Sequence, residues 1–278
     1  MFQEHVGTGL LFLIGIAVGT PPAVWLAALL GLVVSTLTTP ASQREQGLGG
    51  FNGILVGAAL GTFLDPQPLL WLFGAVVTPP VMRAVSKLCA TVGLSALTAP
   101  FVLVSWTLLL AAQPFTTLGP AEATAPAQLG WGFWPTAILQ GISQVFLVQN
   151  PLSGALLLAG LAISSRWAAG LALLGSTLGA ALALLAGAPA AAVEAGLYGF
   201  SPVLTAIALG CTFCSPNARN LAYAALATAF TVFLQGALNT ALQPVSLPAL
   251  TAPFVIATWL FQLGHPFAGD EPTTSSHI

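Results

Sequence analysis

The heptapeptide Ala96-Leu-Thr-Ala-Pro-Phe-Val102 occurs a second time, letter for letter, as Ala249-Leu-Thr-Ala-Pro-Phe-Val255. Thr98 and Thr251 stand 153 residues apart, and Trp106 and Trp259 continue the match at the same spacing. A hydroxyl followed two residues later by a proline is unfavourable twice over in an apolar stretch. The hydroxyl needs a partner, and the proline removes a backbone donor and interrupts a helix. Two copies mean a chain built from two similar halves. In a membrane protein, interrupted helices at corresponding positions of two halves are the best sequence pointer to a solute path.

The correspondence extends outward from the heptapeptide. Thr8-Gly9 with Ile14-Gly15-Ile16 matches Ser153-Gly154 with Ala159-Gly160-Leu161 at a spacing of 145. Gly50-Phe51, Leu55 and Gly61 match Gly199-Phe200, Leu204 and Gly210 at 149. A spacing that drifts slowly from 145 to 153 is that of one ancestral unit with small loop insertions. It divides the chain into a first repeat over 1–110, a linker over 111–130, a second repeat over 131–265 and a polar tail over 266–278. The alignment places the mate of Gln144 two residues ahead of Met1. The segment Trp131–Val145 therefore has no counterpart, and the first repeat is expected to lack its first helix. A misassigned start or a true truncation would each produce this.

Composition sets the class. Of 278 residues, 56% are hydrophobic and only 4% charged, against about 25% charged in soluble domains, and the mean hydropathy is +0.93. Such a chain has too few charges for a water-facing surface, so it reads as an all-α integral membrane protein in contact with a lipid bilayer. The second half divides into apolar stretches at Trp131–Val148, Leu152–Ser164, Ala168–Ala186, Ala195–Phe213, Asn220–Ala241 and Leu250–Leu263. A spanning helix needs roughly 20 apolar residues. Leu152–Ser164 and Leu250–Leu263 are short for that, and Pro151 and Pro253 mark them as broken or tilted. The basic residues are Arg44, Arg83, Lys87, Arg166 and Arg219, and the net charge is −2. This excludes a nucleic-acid partner. Arg83 and Lys87 suggest a cytoplasmic loop. No signal peptide is visible.

Chemistry-bearing residues are few. The three cysteines make no disulfide framework, and Cys211-x-x-Cys214 reads as a pair of small buried hydrophobes. His5, His265 and His277 are too scattered to ligate a metal. No paired carboxylates and no His–Ser–Asp set occur, so neither an enzyme nor a cofactor is indicated. No charged pair lies within an apolar stretch, which argues against ion-coupled pumping and for passive passage of a neutral solute. The polar residues that remain are Thr98 and Thr251, with Gln140, Gln144, Gln149 and Asn150 around one helix end. A proline frees the carbonyl four residues before it, so free carbonyls and hydroxyls together are expected to line a path. Phe51 and Phe200, each following a glycine, suit a facing pair of rings that admits a flat solute.

These stretches together resemble the urea transporter family. The resemblance is carried by Gln144-Val-Phe-Leu-Val-Gln-Asn-Pro-Leu-Ser-Gly154, Gly196-Leu-Tyr-Gly-Phe-Ser-Pro-Val-Leu204, Gly50-Phe-Asn-Gly-Ile-Leu-Val-Gly57 and the two Leu-Thr-Ala-Pro-Phe segments. It implies two inverted repeats, each of about five transmembrane helices plus a tilted half-helix. It also implies a homotrimer with one urea-selective pore per protomer, in a bacterial inner membrane. Carried over by motif, Phe2, Phe51 and Phe200 would wall two slots. Leu55 and Leu204 would narrow the middle beside Thr98 and Thr251, and Gln144 and Val145 would open one tilted helix. The chain departs from the family at its start, where His5 stands in the place that Asn150 holds in the second half. Urea is planar and neutral, with one carbonyl and four N–H donors, and it matches acceptors along an edge with apolar plates on its faces. Two other readings remain open: a channel for another small neutral solute (ammonia, water or a short amide), and a non-transporting membrane scaffold.

Overall fold

The structure, a computed structural model, describes residues 5–39, 48–112 and 130–265. The expected tail over 266–278 and Phe2 lie outside the described residues. Among those described, all regular structure is helical. The first half contributes α1 (Val6–Gly19), α2 (Pro22–Thr38), α3 (Leu48–Phe63), α4 (Pro68–Ala90) and α5 (Ala99–Ala112). The second contributes α6 (Phe133–Ser143), α7 (Pro151–Ser164), α8 (Arg166–Leu185), the short α9 (Ala190–Glu194), α10 (Phe200–Ile207), α11 (Ala218–Leu242) and α12 (Ala252–Leu263).

Local chemistry starts these helices where it should. Asn150 Oδ1 accepts from the amides of Leu152 (2.8 Å) and Ser153 (3.1 Å) at the head of α7. His5 Nδ1 accepts from the Thr8 amide at the head of α1 (3.4 Å). His5 and Asn150 thus do the same job at matched positions, satisfying donors that a helix N-terminus leaves open. Pro22, Pro68 and Pro151 sit in the first turn, where proline lacks nothing the helix needs.

The surface is apolar, and polar side chains are gathered inside among a hydrophobic core. Leu10, Leu26, Phe73, Leu110, Ile163, Leu185 and Phe233 are exposed, while Ser35, Asn52, Thr78, Ser143, Ser176, Thr205, Thr228 and Gln235 are buried. That is the arrangement a bilayer solvent selects, since lipid offers no partner to a polar group. Pro68–Ala90, Arg166–Leu185 and the helix running from Ala218 are long and apolar enough to span a membrane. The pair formed by Phe133–Phe146 and Pro151–Ser164 qualifies together but is bent by 74° at its break. The two segments expected to be short are helices of 14 and 12 residues, α7 and α12.

Contacts between the halves are reciprocal. Beside Gly15 on α1 lie Leu156 and Leu157, and beside Gly160 on α7 lie Leu11 and Phe12. Each member of one list is the other's counterpart at the spacing of 145. Swapping the halves therefore reproduces the contact, which is the property of a two-fold relation. The turns after α4 and α11 also repeat. Gly93 (φ +72°) and Ser246 (φ +50°) both take the left-handed conformation. The next amide in each case reaches back, Leu94 to Cys89 O (2.9 Å) and Leu247 to Leu242 O (3.3 Å), closing the helix end. The helix α6 has no counterpart among the described residues of the first half.

One expected helix is divided. The apolar stretch Ala195–Phe213 is not continuous: a turn occupies 195–199, α10 begins at Phe200, and a π-helical turn over Ala208–Thr212 follows. Gly196 adopts φ +78° with its α-carbon against the backbone of Gln140 and Gly141, a place and a conformation that exclude a side chain. Hydropathy is blind to such a break. In the first half the close approach is between α2 and α3, where Gly31 and Gly53 each lie against the other's carbonyl. The cysteines of the C-x-x-C are half-buried rather than buried. Cys214 Sγ lies 3.6 Å from His265 Nε2, a packing contact at the end of α12 that sequence separation conceals.

Candidate functional site

The two heptapeptides meet. Thr98 Oγ1 and Thr251 Oγ1 are hydrogen-bonded at 2.7 Å, and each residue is 2% exposed. Each threonine opens its helix, because the Thr98 carbonyl accepts from Val102 and the Thr251 carbonyl from Val255 (both 3.1 Å). Their side chains thus bridge the two halves instead of bonding back onto their own helices. The bond uses one of the two hydroxyl protons. The pair keeps one O–H donor and several acceptor lone pairs.

Two tryptophans frame this contact. Trp106 Nε1 donates to Pro248 O (2.9 Å) and Trp259 Nε1 to Ser95 O (2.8 Å). These bonds exchange under the same spacing of 153. Immediately before the threonines, Leu97 (φ +51°) and Leu250 (φ +49°) are left-handed. For a leucine that conformation is disfavoured by roughly 1–2 kcal/mol. Its presence in both copies shows that the surrounding contacts hold the turn in place.

The prolines do not leave open carbonyls. Ala96 O accepts from the Ala99 amide and Ala249 O from the Ala252 amide, both at 3.1 Å. A tight i→i+3 bond replaces the one that proline cannot make, so the expected free carbonyls at these two positions are occupied. In the first half Asn52 bridges the break. It is wholly buried, donates from Nδ2 to Leu97 O (3.2 Å) and accepts at Oδ1 from the Phe101 amide (3.0 Å). Its counterpart Ser201 instead donates to Gln235 Oε1 (3.0 Å), and Gln235 Nε2 donates to Asn239 Oδ1 (3.1 Å). Thr205 and Thr231 bond one another nearby (3.0 Å). The halves share a backbone plan but differ in these buried polar links.

The other expected site residues distribute around the seam. Leu55 on α3 and Leu204 on α10 are fully buried, as is Val145. Gln144 is half-exposed in the 3-10 turn that ends α6, and its Nε2 donates to Ala195 O (3.0 Å). Its Oε1 is an acceptor without a partner among the described residues. Phe51 packs edge-on against Phe146 (centroids 5.8 Å, 83°), and Phe146 against Phe12 (5.6 Å, 67°). Phe51 and Phe200 make no ring contact with each other. The ring beside Phe51 is Phe146, which sequence reasoning did not single out. Asn52 was also missed, although it adjoins Phe51 in a quoted motif. The matched tryptophans were seen, but their partners could not be.

Chemically, the seam pairs neutral donors and acceptors with apolar walls. No Asp, Glu, Lys or Arg is buried among the described residues, and no group of metal-ligating side chains occurs among them. The sequence model of the family described as "Urea transporter" matches residues 1–266. Urea transporter 1 of Ovis aries is 30% identical over 285 residues, covering 95% of this chain and 73% of that protein. Urea transporter 1 of Rattus norvegicus is likewise 30% identical and that of Capra hircus 29%, with the same coverage. A match over nearly the whole chain, joined to a neutral polar seam between two similar halves in an apolar membrane fold, shows that the chain belongs to the urea transporter family.

Proposed function

We propose that urea crosses the membrane passively through this chain, by a path that runs beside the Thr98–Thr251 pair. The observation that carries the path is the direct 2.7 Å bond between the two hydroxyls at the point where the halves exchange contacts. A bond that short leaves no solute between the oxygens. The pair therefore forms one polar wall of the narrow region, with the apolar walls supplied by Leu55 and Leu204. Urea's N–H groups meet hydroxyl and amide oxygens, Gln144 Oε1 among them, and its faces meet Phe51 and Phe200. The absence of buried charge among the described residues supports movement down a gradient, because ion coupling needs charged or multi-oxygen sites at membrane depth.

In this reading the halves over 1–110 and 131–265 are repeats inverted across the bilayer. The linker over 111–130 joins them, and 266–278 is a polar tail. Reciprocity of the Trp106 and Trp259 bonds supports the two-fold part of that reading. A homotrimer in a bacterial inner membrane, with one path per protomer, rests on family resemblance alone. The function is tested with purified protein in liposomes, following urea efflux by light scattering without any sodium or proton gradient. Flux well above that of protein-free vesicles, unchanged when ion gradients are imposed, supports it. Flux equal to the protein-free control supports the scaffold reading instead.

A further inference from the structure

We propose that Cys211 and Cys214 form a peroxide-reactive dithiol at the end of α10, in which Cys214 is the attacking thiol, His265 its base and Cys211 the thiol that closes a disulfide. The site stands apart from the threonine seam, and it holds whether or not urea passes there.

Both cysteines of the C-x-x-C are half-buried, whereas the third cysteine, Cys89, is buried. The contact of 3.6 Å between Cys214 Sγ and His265 Nε2 is within hydrogen-bonding range for sulfur. Its members come from segments 51 residues apart, and the imidazole is held in place. Tyr223 packs edge-on against it (centroids 5.0 Å, 86°). The same tyrosine donates its O–H to Phe261 O (2.9 Å), which ties α11 to the last turns of α12. A thiol reacts as its thiolate, and an adjacent imidazole that takes the proton is the arrangement that activates one. No third ligand joins Cys214 and His265 to make a metal site among the described residues. The chemistry left to the pair is that of a nucleophilic sulfur.

Cys211 stands three residues earlier, in the π-helical turn over Ala208–Thr212. Its Sγ reaches back to Ile207 O (3.5 Å), so the disulfide closes once that side chain leaves this weak bond. The residues that follow the pair, Ser215, Pro216, Asn217 and Arg219, are exposed. A guanidinium in so apolar a chain marks a watery end of the fold, where dissolved peroxide has access. The helix α12 carries His265 to that end, about 18 Å beyond Thr251. In the first step the Cys214 thiol gives its proton to His265, and its sulfur attacks one oxygen of hydrogen peroxide. The O–O bond breaks, Cys214 becomes a sulfenic acid, and the second oxygen takes the proton and leaves as water. In the second step the Cys211 sulfur attacks Cys214 Sγ. The S–O bond breaks, and the oxygen leaves as water with the Cys211 proton. Two thiols are oxidised to one disulfide while one peroxide is reduced to two waters.

The test treats the full reduced chain in detergent with hydrogen peroxide and reads intact mass and disulfide-linked peptides. The expected product is lighter by two hydrogens, has Cys211 joined to Cys214 and Cys89 still free, and returns to the parent with a dithiol reductant. Cys211→Ser stops at the sulfenic acid, so it gains one oxygen and a dimedone probe labels Cys214. Cys214→Ser is inert to that probe. His265→Asn slows the oxidation by about tenfold or more, with a melting temperature near the parent's. Should His265→Asn fail to fold, the parent itself decides: iodoacetamide alkylates Cys214 about tenfold faster than the equally half-buried Cys211. Equal alkylation of the two cysteines or an unchanged oxidation rate in folded His265→Asn overturns the proposal. So does a peroxide-treated parent without the Cys211–Cys214 link.

Discussion

Replacing one threonine of the central pair separates its structural role from its transport role. Thr98→Val keeps the shape and removes one hydroxyl, leaving Thr251 Oγ1 buried at 2% exposure without its 2.7 Å partner. An orphaned buried hydroxyl costs about 1–3 kcal/mol, whereas replacing both partners by apolar groups of the same shape is nearly neutral. The single variants Thr98→Val and Thr251→Val are therefore each less stable by about 1–3 kcal/mol, and the double variant returns close to the parent. Urea flux follows a different order. Each hydroxyl removed lowers it roughly 2- to 12-fold, so the double variant is the slowest of the set. Thermal unfolding in detergent and urea efflux from liposomes, measured on the same four proteins, give the two orders. A double variant that carries urea at the parental rate refutes the assignment, and additive stability losses refute the direct bond.

Other changes test the framework around the pair. Asn52→Ala leaves the Phe101 amide and Leu97 carbonyl unpaired inside the protein, which costs about 1–3 kcal/mol for each group; the loss in melting temperature should exceed that of Ser201→Ala at the matched site. Gly53→Ala drives a methyl into Gly31 O and the Ser35 side chain, and overpacking of about 1–3 kcal/mol or more should appear as reduced yield of folded protein. Phe200→Ala should widen one slot, so that methylated ureas permeate; an unchanged size cut-off in the efflux assay removes Phe200 from the slot.

Much of this was legible in the chain because repetition carries long-range information. The doubled heptapeptide implied that Thr98 and Thr251 are equivalent, and two-fold equivalents near a seam meet. The low charge implied the membrane, and the short stretches at Leu152 and Leu250 are short helices. What stayed hidden depends on partners distant in sequence. Nothing local says that Asn52 closes the gap at the start of α5, or that Ala96 O finds the Ala99 amide. The break between Ala195 and Phe200 was missed because apolar residues on both sides mask a turn required by the backbone of Gln140. Nor does repeat position indicate that the ring packed against Phe51 is Phe146, a residue 95 positions away in sequence.

The central claim is that urea passes beside the Thr98–Thr251 pair, and chemical access to that point tests it most directly. With Cys89, Cys211 and Cys214 replaced by alanine, Thr98→Cys places one thiol at the seam. The account predicts that a small neutral methanethiosulfonate modifies this thiol in liposomes, that modification stops urea flux, and that excess urea slows the modification. A thiol that does not react, or one that reacts while urea flux continues unchanged, contradicts the account.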